Sequence, residues 1–272
     1  MTAGDPVPFI VGTGRCGTTF LRLMLDAHPA LAIPPETHFI PGMVKQCAAS
    51  SNAPDCFIER LTSYITFPDF HINIDSLTQR IKSLKPFTVS EGFRVFYTLY
   101  AENLGKSRWG DKTPGYFAHM KHIQKLFPEV HFIHMIRDGR DVALSILNLS
   151  FGPNSIEEAA RWWVMRMKRA RGQATHVQHY MEVRYEDLVL DSESKLKQIC
   201  SFIDLKWDSS MLQYYERANE RLKEDEYEIH RFTTRPPQAS RVQRWKQEMA
   251  LFDRRLFESI AGELLKDLGY EI

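Results

Sequence analysis

The stretch FIVGTGRCGTTFLRLML, residues 9–25, decides the fold. Phe9, Ile10 and Val11 form a short apolar run that reads as a strand, and Gly12, Gly14 and Gly17 allow a tight turn with close backbone approach. Thr18 and Thr19 then open a helix continued by FLRLML. In such a turn the backbone N–H groups and the positive end of the helix face one anion. The outline is that of a phosphate loop, G-x-x-x-x-G-K-[ST], with Thr18 in the lysine's place. That lysine reaches the β- and γ-phosphates of a nucleoside triphosphate, so its absence points to a different phosphate group. Gly14, Arg15, Cys16, Gly17, Thr18 and Thr19 are therefore candidate phosphate-binding residues, with Arg15 supplying a cation from inside the loop.

Outward from this stretch, apolar runs at 8–12, 107–110, 130–136 and 181–184 read as buried strands. Helical periodicity separates them, at 18–27, 116–127, 141–149 and 156–179. Such alternation predicts an α/β fold, a P-loop-like parallel sheet flanked by helices. Between 36 and 104 the pattern is mostly helical, with helices expected near 55–66, 74–84 and 91–104. This insertion, at about 43–104, is expected to cap the sheet's C-terminal edge on the acceptor side, where open α/β sheets bind ligands. Neither a repeat nor a Gly/Ser/Pro linker marks a boundary, so residues 1–272 are expected to form a single domain.

The 272 residues are 43% hydrophobic and 25% charged, enough apolar material for one large core. Thirty-five Lys+Arg against 34 Asp+Glu leave a net charge of +1. That balance supplies no overall field for nucleic acid or an anionic membrane, and anion binding must come from local clusters. With no basic and apolar leader at the N-terminus and no run of roughly 18 apolar residues, the expectation is a cytoplasmic protein without membrane insertion or a nucleic-acid partner. Cys16, Cys47, Cys56 and Cys200 lack C-x-x-C spacing, which favours free thiols and leaves a Cys47–Cys56 pair across SSNAPD open. Carboxylates and histidines do not cluster at metal-ligand spacing, so no metal is expected.

A second anion site is suggested by HFIHMIRDGRDVALSIL, residues 131–147. Arg137 ends the strand and Ser145 lies on the following helix, so the two are expected to converge on a second phosphate. Asp138 reads as the cap of that helix. Two anion sites on one sheet edge imply a ligand with two separated phosphates.

Together the two motifs resemble those of the sulfotransferases that use 3′-phosphoadenosine 5′-phosphosulfate. GTGRCGTTFLRLML (12–25) looks like their 5′-phosphosulfate loop, and MIRDGRDVALSIL (135–147) looks like their 3′-phosphate segment, with Arg137 and Ser145 at the matching positions. The resemblance accounts for the missing lysine, because the family's donor has no β- and γ-phosphates and requires no Mg²⁺. LDAHPALAIPPETHFIP (25–41) is similar to the region after the loop in tyrosylprotein sulfotransferases, where Glu36 matches the acidic catalytic base. His38 stands where that resemblance implies an arginine. RWGDKTPGY (108–116) looks like a segment of bacterial and protein sulfotransferases and places Lys112 near the transferring sulfate. VRYEDLV (183–189) and SRVQRW (240–245) also look familiar, adding Tyr185, Ser240 and Arg241 as donor contacts. The likeness extends over most of the chain outside 43–104.

In-line sulfuryl transfer needs a base beside the incoming hydroxyl and cations beside the departing phosphate. Glu36 is the candidate base, with His38 the alternative, and Arg15 and Lys112 are the candidate cations. Glu36 after Pro34 and Pro35 also reads as the first acid of a helix. A P-loop kinase or nucleotide hydrolase is the nearest rival, opposed by Thr18 and by the lack of a strand-ending Mg²⁺-binding aspartate. A non-catalytic nucleotide-binding module is the other. The acceptor is expected to be a hydroxyl, of a peptide tyrosine or a small molecule, in a pocket shaped by the 43–104 helices and EDEYEIHRFTTRPP (224–237). No sequence feature sets an oligomeric state.

Overall fold

A computed structural model describes residues 4–47, 50–147, 149, 152–222 and 232–272. Strand β1 (Val7–Gly12) is buried along its whole length and turns into helix α1 (Thr18–Asp26). A short strand β2 (Leu31–Ala32) leads to helices α2 (Ile40–Cys47), α3 (Ala53–Ser63), α4 (Ile74–Ser83) and α5 (Val89–Asn103). Side-chain caps start two of them, Asn73 accepting from the Ser76 N–H and Thr88 from the Glu91 N–H. Strands β3 (Arg108–Trp109) and β4 (Asp111–Lys112) follow, then a 3₁₀ turn (Pro114–Ala118), helix α6 (Met120–Leu126), strand β5 (Val130–Ile136) and helix α7 (Gly139–Ile146). Next come α8 (Ile156–Ala174), strand β6 (Tyr180–Arg184), α9 (Tyr185–Leu190), α10 (Ser192–Phe202), a 3₁₀ stretch (Ser209–Glu216) and α11 (Ala218–Arg221). A 3₁₀ turn (Ala239–Arg241), α12 (Trp245–Glu248) and α13 (Leu251–Asp267) lie toward the C-terminus.

The main sheet has the order β4-β1-β5-β6 and is parallel throughout, with Ile10 opposite Lys112 on one side and Ile133 on the other. All four strands therefore end along one edge, and β1 sits at the point where the chain passes from one side of the sheet to the other. Open α/β sheets bind ligands at that kind of switch point. Because side chains alternate along a strand, β1 divides its core between two layers. Val7, Phe9 and Val11 share a cluster with Phe39, Phe57, Phe93 and Phe96 of the helical segment, whereas Ile10 joins Phe20, Leu21 and Met24 of α1 and Ile199 of α10. A third cluster joins α7, α8 and α13 through Val142, Trp163 and Phe257.

The predicted fold class is the observed one, and the departures have local causes. The strand expected at 107–110 is two strands, because Arg108 and Trp109 pair with β2 while Asp111 and Lys112 pair with β1. Gly110 makes the break: a Cβ there would stand 2.7 Å from the Pro8 carbonyl oxygen, so only glycine lets the chain pass β1 so closely. The helix expected over 156–179 stops at Ala174, since the His179 carbonyl already accepts the Phe132 N–H at 2.9 Å as part of the sheet. The periodicity at 116–127 covers a 3₁₀ turn and a separate helix. The four cysteines are free, Cys47 and Cys56 facing each other with sulfurs 3.0 Å apart. Among the described residues no helix is long and apolar enough to cross a membrane.

Candidate active site

The loop between β1 and α1 is held open by two left-handed residues. Gly17, the residue before α1, has φ 100°, and a Cβ on it would come within 2.5 Å of the Tyr185 ring. Arg15 has φ 68°, an uncommon conformation for a side-chain-bearing residue and of the kind that collects at ligand sites. Cys16 folds inward: its thiol donates to the Thr13 carbonyl at 2.7 Å, and burial pushes its pKa up to about 11, so it is an inert packing group.

A cleft of about 680 Å³, open to solvent, runs over this loop. Arg15, Gly17, Thr18 and Thr19 line it, together with Arg137 just after β5, Tyr185 at the start of α9 and Arg241 from the 3₁₀ turn. Three guanidinium groups thus meet at one phosphate loop. Burial and then the charges of Arg137 and Arg241 lower the pKa of Arg15, so an anion bound beside it would be favoured. Arg137 is fixed by its contacts, donating to the Arg241 carbonyl at 2.8 Å, to the Arg15 carbonyl at 3.3 Å and to Asp141 Oδ2 at 3.4 Å, with its guanidinium 4.4 Å from the centre of the Tyr185 ring. Its Nε is buried without a protein partner, a donor that a ligand oxygen would satisfy.

A second cluster lies one side chain away. Lys112, fully buried at the end of β4, donates to Thr19 Oγ1 at 3.3 Å and to Glu36 Oε1 at 2.5 Å. His38 Nε2 lies 2.8 Å from Glu36 Oε2. Burial raises the Glu36 pKa, but Lys112 and His38 outweigh it and hold the carboxyl at about 2, so Glu36 is an anion throughout the neutral range. His38, like Arg15, has a positive φ, at 52°. Thr19 belongs to both regions, lining the cleft and contacting Lys112.

The structure therefore brings together Arg15, Thr18, Thr19, Arg137, Tyr185 and Arg241 in the cleft, and Glu36, His38 and Lys112 beside it. Gly14 and Cys16 shape the loop without lining the cleft. Ser145 does not line it either, its hydroxyl donating back to the Asp141 carbonyl at 3.0 Å. Ser240 is exposed in the turn that carries Arg241. Asp138 caps α7, as expected, by accepting from the Arg140 N–H at 2.9 Å. Of the 224–237 stretch expected at the acceptor pocket, 224–231 lie outside the described residues. Phe232, Thr233 and Pro237 line the arginine cleft instead. Gln238 and Phe20 are further lining residues that sequence reasoning did not single out, Gln238 lying just before SRVQRW and Phe20 just after Thr19. Among the described residues no group of three or more His, Cys, Asp or Glu is placed to hold a metal ion.

Residues 6–209 match the model of the sulfotransferase family. Protein-tyrosine sulfotransferase A of Caenorhabditis elegans is 27% identical over 77% of this chain and 53% of its own length. Protein-tyrosine sulfotransferase 1 of Danio rerio is 25% identical over 98% of this chain and 72% of its own. The chain thus spans about half the length of the worm relative. Among solved structures, the sulfotransferase domain of the Synechococcus PCC 7002 olefin synthase superposes with a TM-score of 0.64 at 20% identity, covering 100% of this chain and 97% of that one.

Proposed function

The chain belongs to the sulfotransferase family, and on that premise we propose that it moves a sulfuryl group from 3′-phosphoadenosine 5′-phosphosulfate to an acceptor hydroxyl by in-line transfer. The observation that carries this reading is the meeting of three guanidinium groups at a lysine-less phosphate loop, beside a buried Lys112–Glu36 pair. The residues suit such a donor. Arg137, with its unpartnered Nε, and Arg241 would hold the 3′-phosphate, and the 13–19 loop with Arg15 would hold the 5′-phosphate.

Donor binding supplies an activated sulfuryl group on a phosphate leaving group. Arg15 and Lys112 offset the charge that grows on the leaving oxygen, a type of stabilisation worth roughly 3–4 kcal/mol per preorganised donor. Glu36 takes the acceptor proton. Its pKa of about 2 belongs to the ion-paired state, and Lys112, which already touches Thr19, relieves that pairing when it turns toward an anion on the loop. The carboxylate then gains basicity when a donor is present.

The acceptor is a hydroxyl, of a peptide tyrosine or a small molecule, and the names of the two animal relatives favour the tyrosine. Helices α2–α5 form the acceptor-side cap of a single domain in this reading. Incubation with labelled donor and a mixed library of tyrosine peptides and small hydroxyl compounds, followed by mass spectrometry, tests it. A sulfated product is expected; Mg²⁺-dependent ATP turnover without one would return the protein to the P-loop kinases and hydrolases.

A further inference from the structure

Two three-residue stretches interlock behind the Glu36 cluster. Thr37 is fully buried between Glu36 and His38; its N–H donates to Thr113 Oγ1 at 3.0 Å and its hydroxyl to Asp111 Oδ2 at 2.8 Å. Asp111 and Thr113 flank Lys112 in the sequence and are themselves fully buried. Thus the middle residue of 36–38 is bonded to the outer residues of 111–113, while Glu36, an outer residue, is bonded to the middle one, Lys112. Alternation along β4 puts Asp111 and Thr113 on one side and Lys112 on the other, so these contacts fix the register between the two stretches.

Tyrosines close the back of this arrangement. The Tyr97 hydroxyl donates to Asp111 Oδ2 at 2.8 Å. Tyr116 accepts the Ile40 N–H at 3.1 Å, which leaves its own proton for the Thr37 oxygen 2.8 Å away. Thr37 therefore has a directed role in each bond, with Asp111 as the fixed acceptor. Its neighbour His38 sits at φ 52°, a conformation the surrounding contacts must impose.

We propose that Thr37, anchored on Asp111, is a positioning residue for sulfuryl transfer: its hydroxyl locks the 36–38 stretch against β4, so that the Glu36 carboxylate keeps its place beside Lys112 before donor binds and stays there to take the acceptor proton once Lys112 turns to the donor. This rests on Glu36 being the base, and it assigns the base's geometry to a residue that need not touch substrate. Serine retains the hydroxyl at this position, and valine retains the volume without it.

The full chain is compared with Thr37→Val and Thr37→Ser in two measurements. The first is the titration of the Glu36 carboxyl followed by carbon NMR, which needs no acceptor. Thr37→Val should raise that pKa by about one unit or more as Glu36 loosens from Lys112, and Thr37→Ser should hold the parent value. The second is turnover of labelled donor with 4-nitrophenol as probe, well below the unfolding temperature. Thr37→Val should lower kcat roughly tenfold or more with donor KM unchanged, Thr37→Ser should restore it, and the loss should vanish when Glu36→Gln is already present. If Thr37→Val does not fold, Asp111→Asn removes the charged acceptor at similar volume and is read in the same way. An unchanged Glu36 titration in the valine variant overturns the clamp, and decides alone if 4-nitrophenol is not turned over. Loss of kcat in Glu36→Gln with full activity in Thr37→Val overturns the clamp while keeping the base. Full activity in Glu36→Gln overturns both.

Discussion

The arginine cleft and the Glu36 cluster meet at Thr19 and are electrostatic opposites. In the cleft, Arg15, Arg137 and Arg241 crowd one another, and Arg15 holds its proton less tightly because of burial and then because of its two neighbours. In the cluster, Lys112 and Glu36 balance at 2.5 Å and His38 closes the far side of the carboxylate. In one region like charges predominate; in the other opposite charges are paired. Affinity and turnover should therefore be separable by mutation, with the cleft carrying the first and the cluster the second.

The largest expected effect lies in the cluster. Glu36→Gln keeps the shape but removes the proton acceptor, and kcat should fall by about 10²–10⁴-fold with nucleotide affinity retained. His38→Asn should be milder, and steady-state kinetics on the pair sharpens the division of labour: collapse in His38→Asn beside near-normal Glu36→Gln would move the base to the histidine. Next comes Arg137→Ala, which should cost roughly tenfold to a hundredfold in affinity for 3′-phosphoadenosine 5′-phosphate by calorimetry and most of its preference over adenosine 5′-phosphate. Equal affinity of the parent protein for the two nucleotides would break the reading of the cleft. Arg15→Ala tests the boundary between the regions, since this cation lines the cleft but is assigned to charge on the leaving oxygen. Its expected loss is in kcat, and a variant altered only in donor KM would place Arg15 wholly on the binding side.

The smallest expected effects are in stability against pH. The Glu36 pKa is depressed to about 2, so its contribution is complete above its ordinary value of about 4.3 and is lost as the pH falls toward 2. Asp111 behaves in the opposite sense: burial pushes its pKa up to about 6 against the bonds from Tyr97 and Thr37, so its ionisation costs stability as the pH rises from about 4 to 6. Urea midpoints should show the parent gaining on Glu36→Gln as pH rises through the lower window, and losing ground to Asp111→Asn as pH rises through the upper one. Slopes of one sign in both comparisons would break the contrast between a paired and an unpaired carboxylate.

How much of this was legible follows from the range of the interactions. The strand–turn–helix is local, its glycines and helix start lying within 9–25, and the place of Arg137 is marked by the end of an apolar run. Both were readable. The division of 107–112 into two strands was not, because it depends on Gly110 passing the Pro8 carbonyl, a contact no periodicity encodes. Phe232, Thr233 and Gln238 belong to an irregular stretch with no apolar period, and they reach the cleft only through the folded C-terminal segment. Ser145 is on the helix read for it, and its hydroxyl donates to the carbonyl one turn back, a local bond that the sequence does not announce. Glu36 and Lys112 were legible as separate motifs, whereas the bonds from Thr37 that align them came only with the three-dimensional structure.

The place of β1 in the sheet also has a consequence for synthesis. Strand β1 is an interior one, and its partners, β4 and β5, lie far along the sequence from it. At about 5–20 residues per second, the ribosome takes on the order of 6–25 seconds after completing Val7–Gly12 to reach Ile136. Until then the edge of this apolar strand that β5 covers has no neighbour, and non-local parallel pairing is slow even once it arrives. The arrangement that gathers four strand ends around one loop thus delays the closing of the sheet during synthesis, and codon changes that slow translation between α5 and β5 would lengthen that delay.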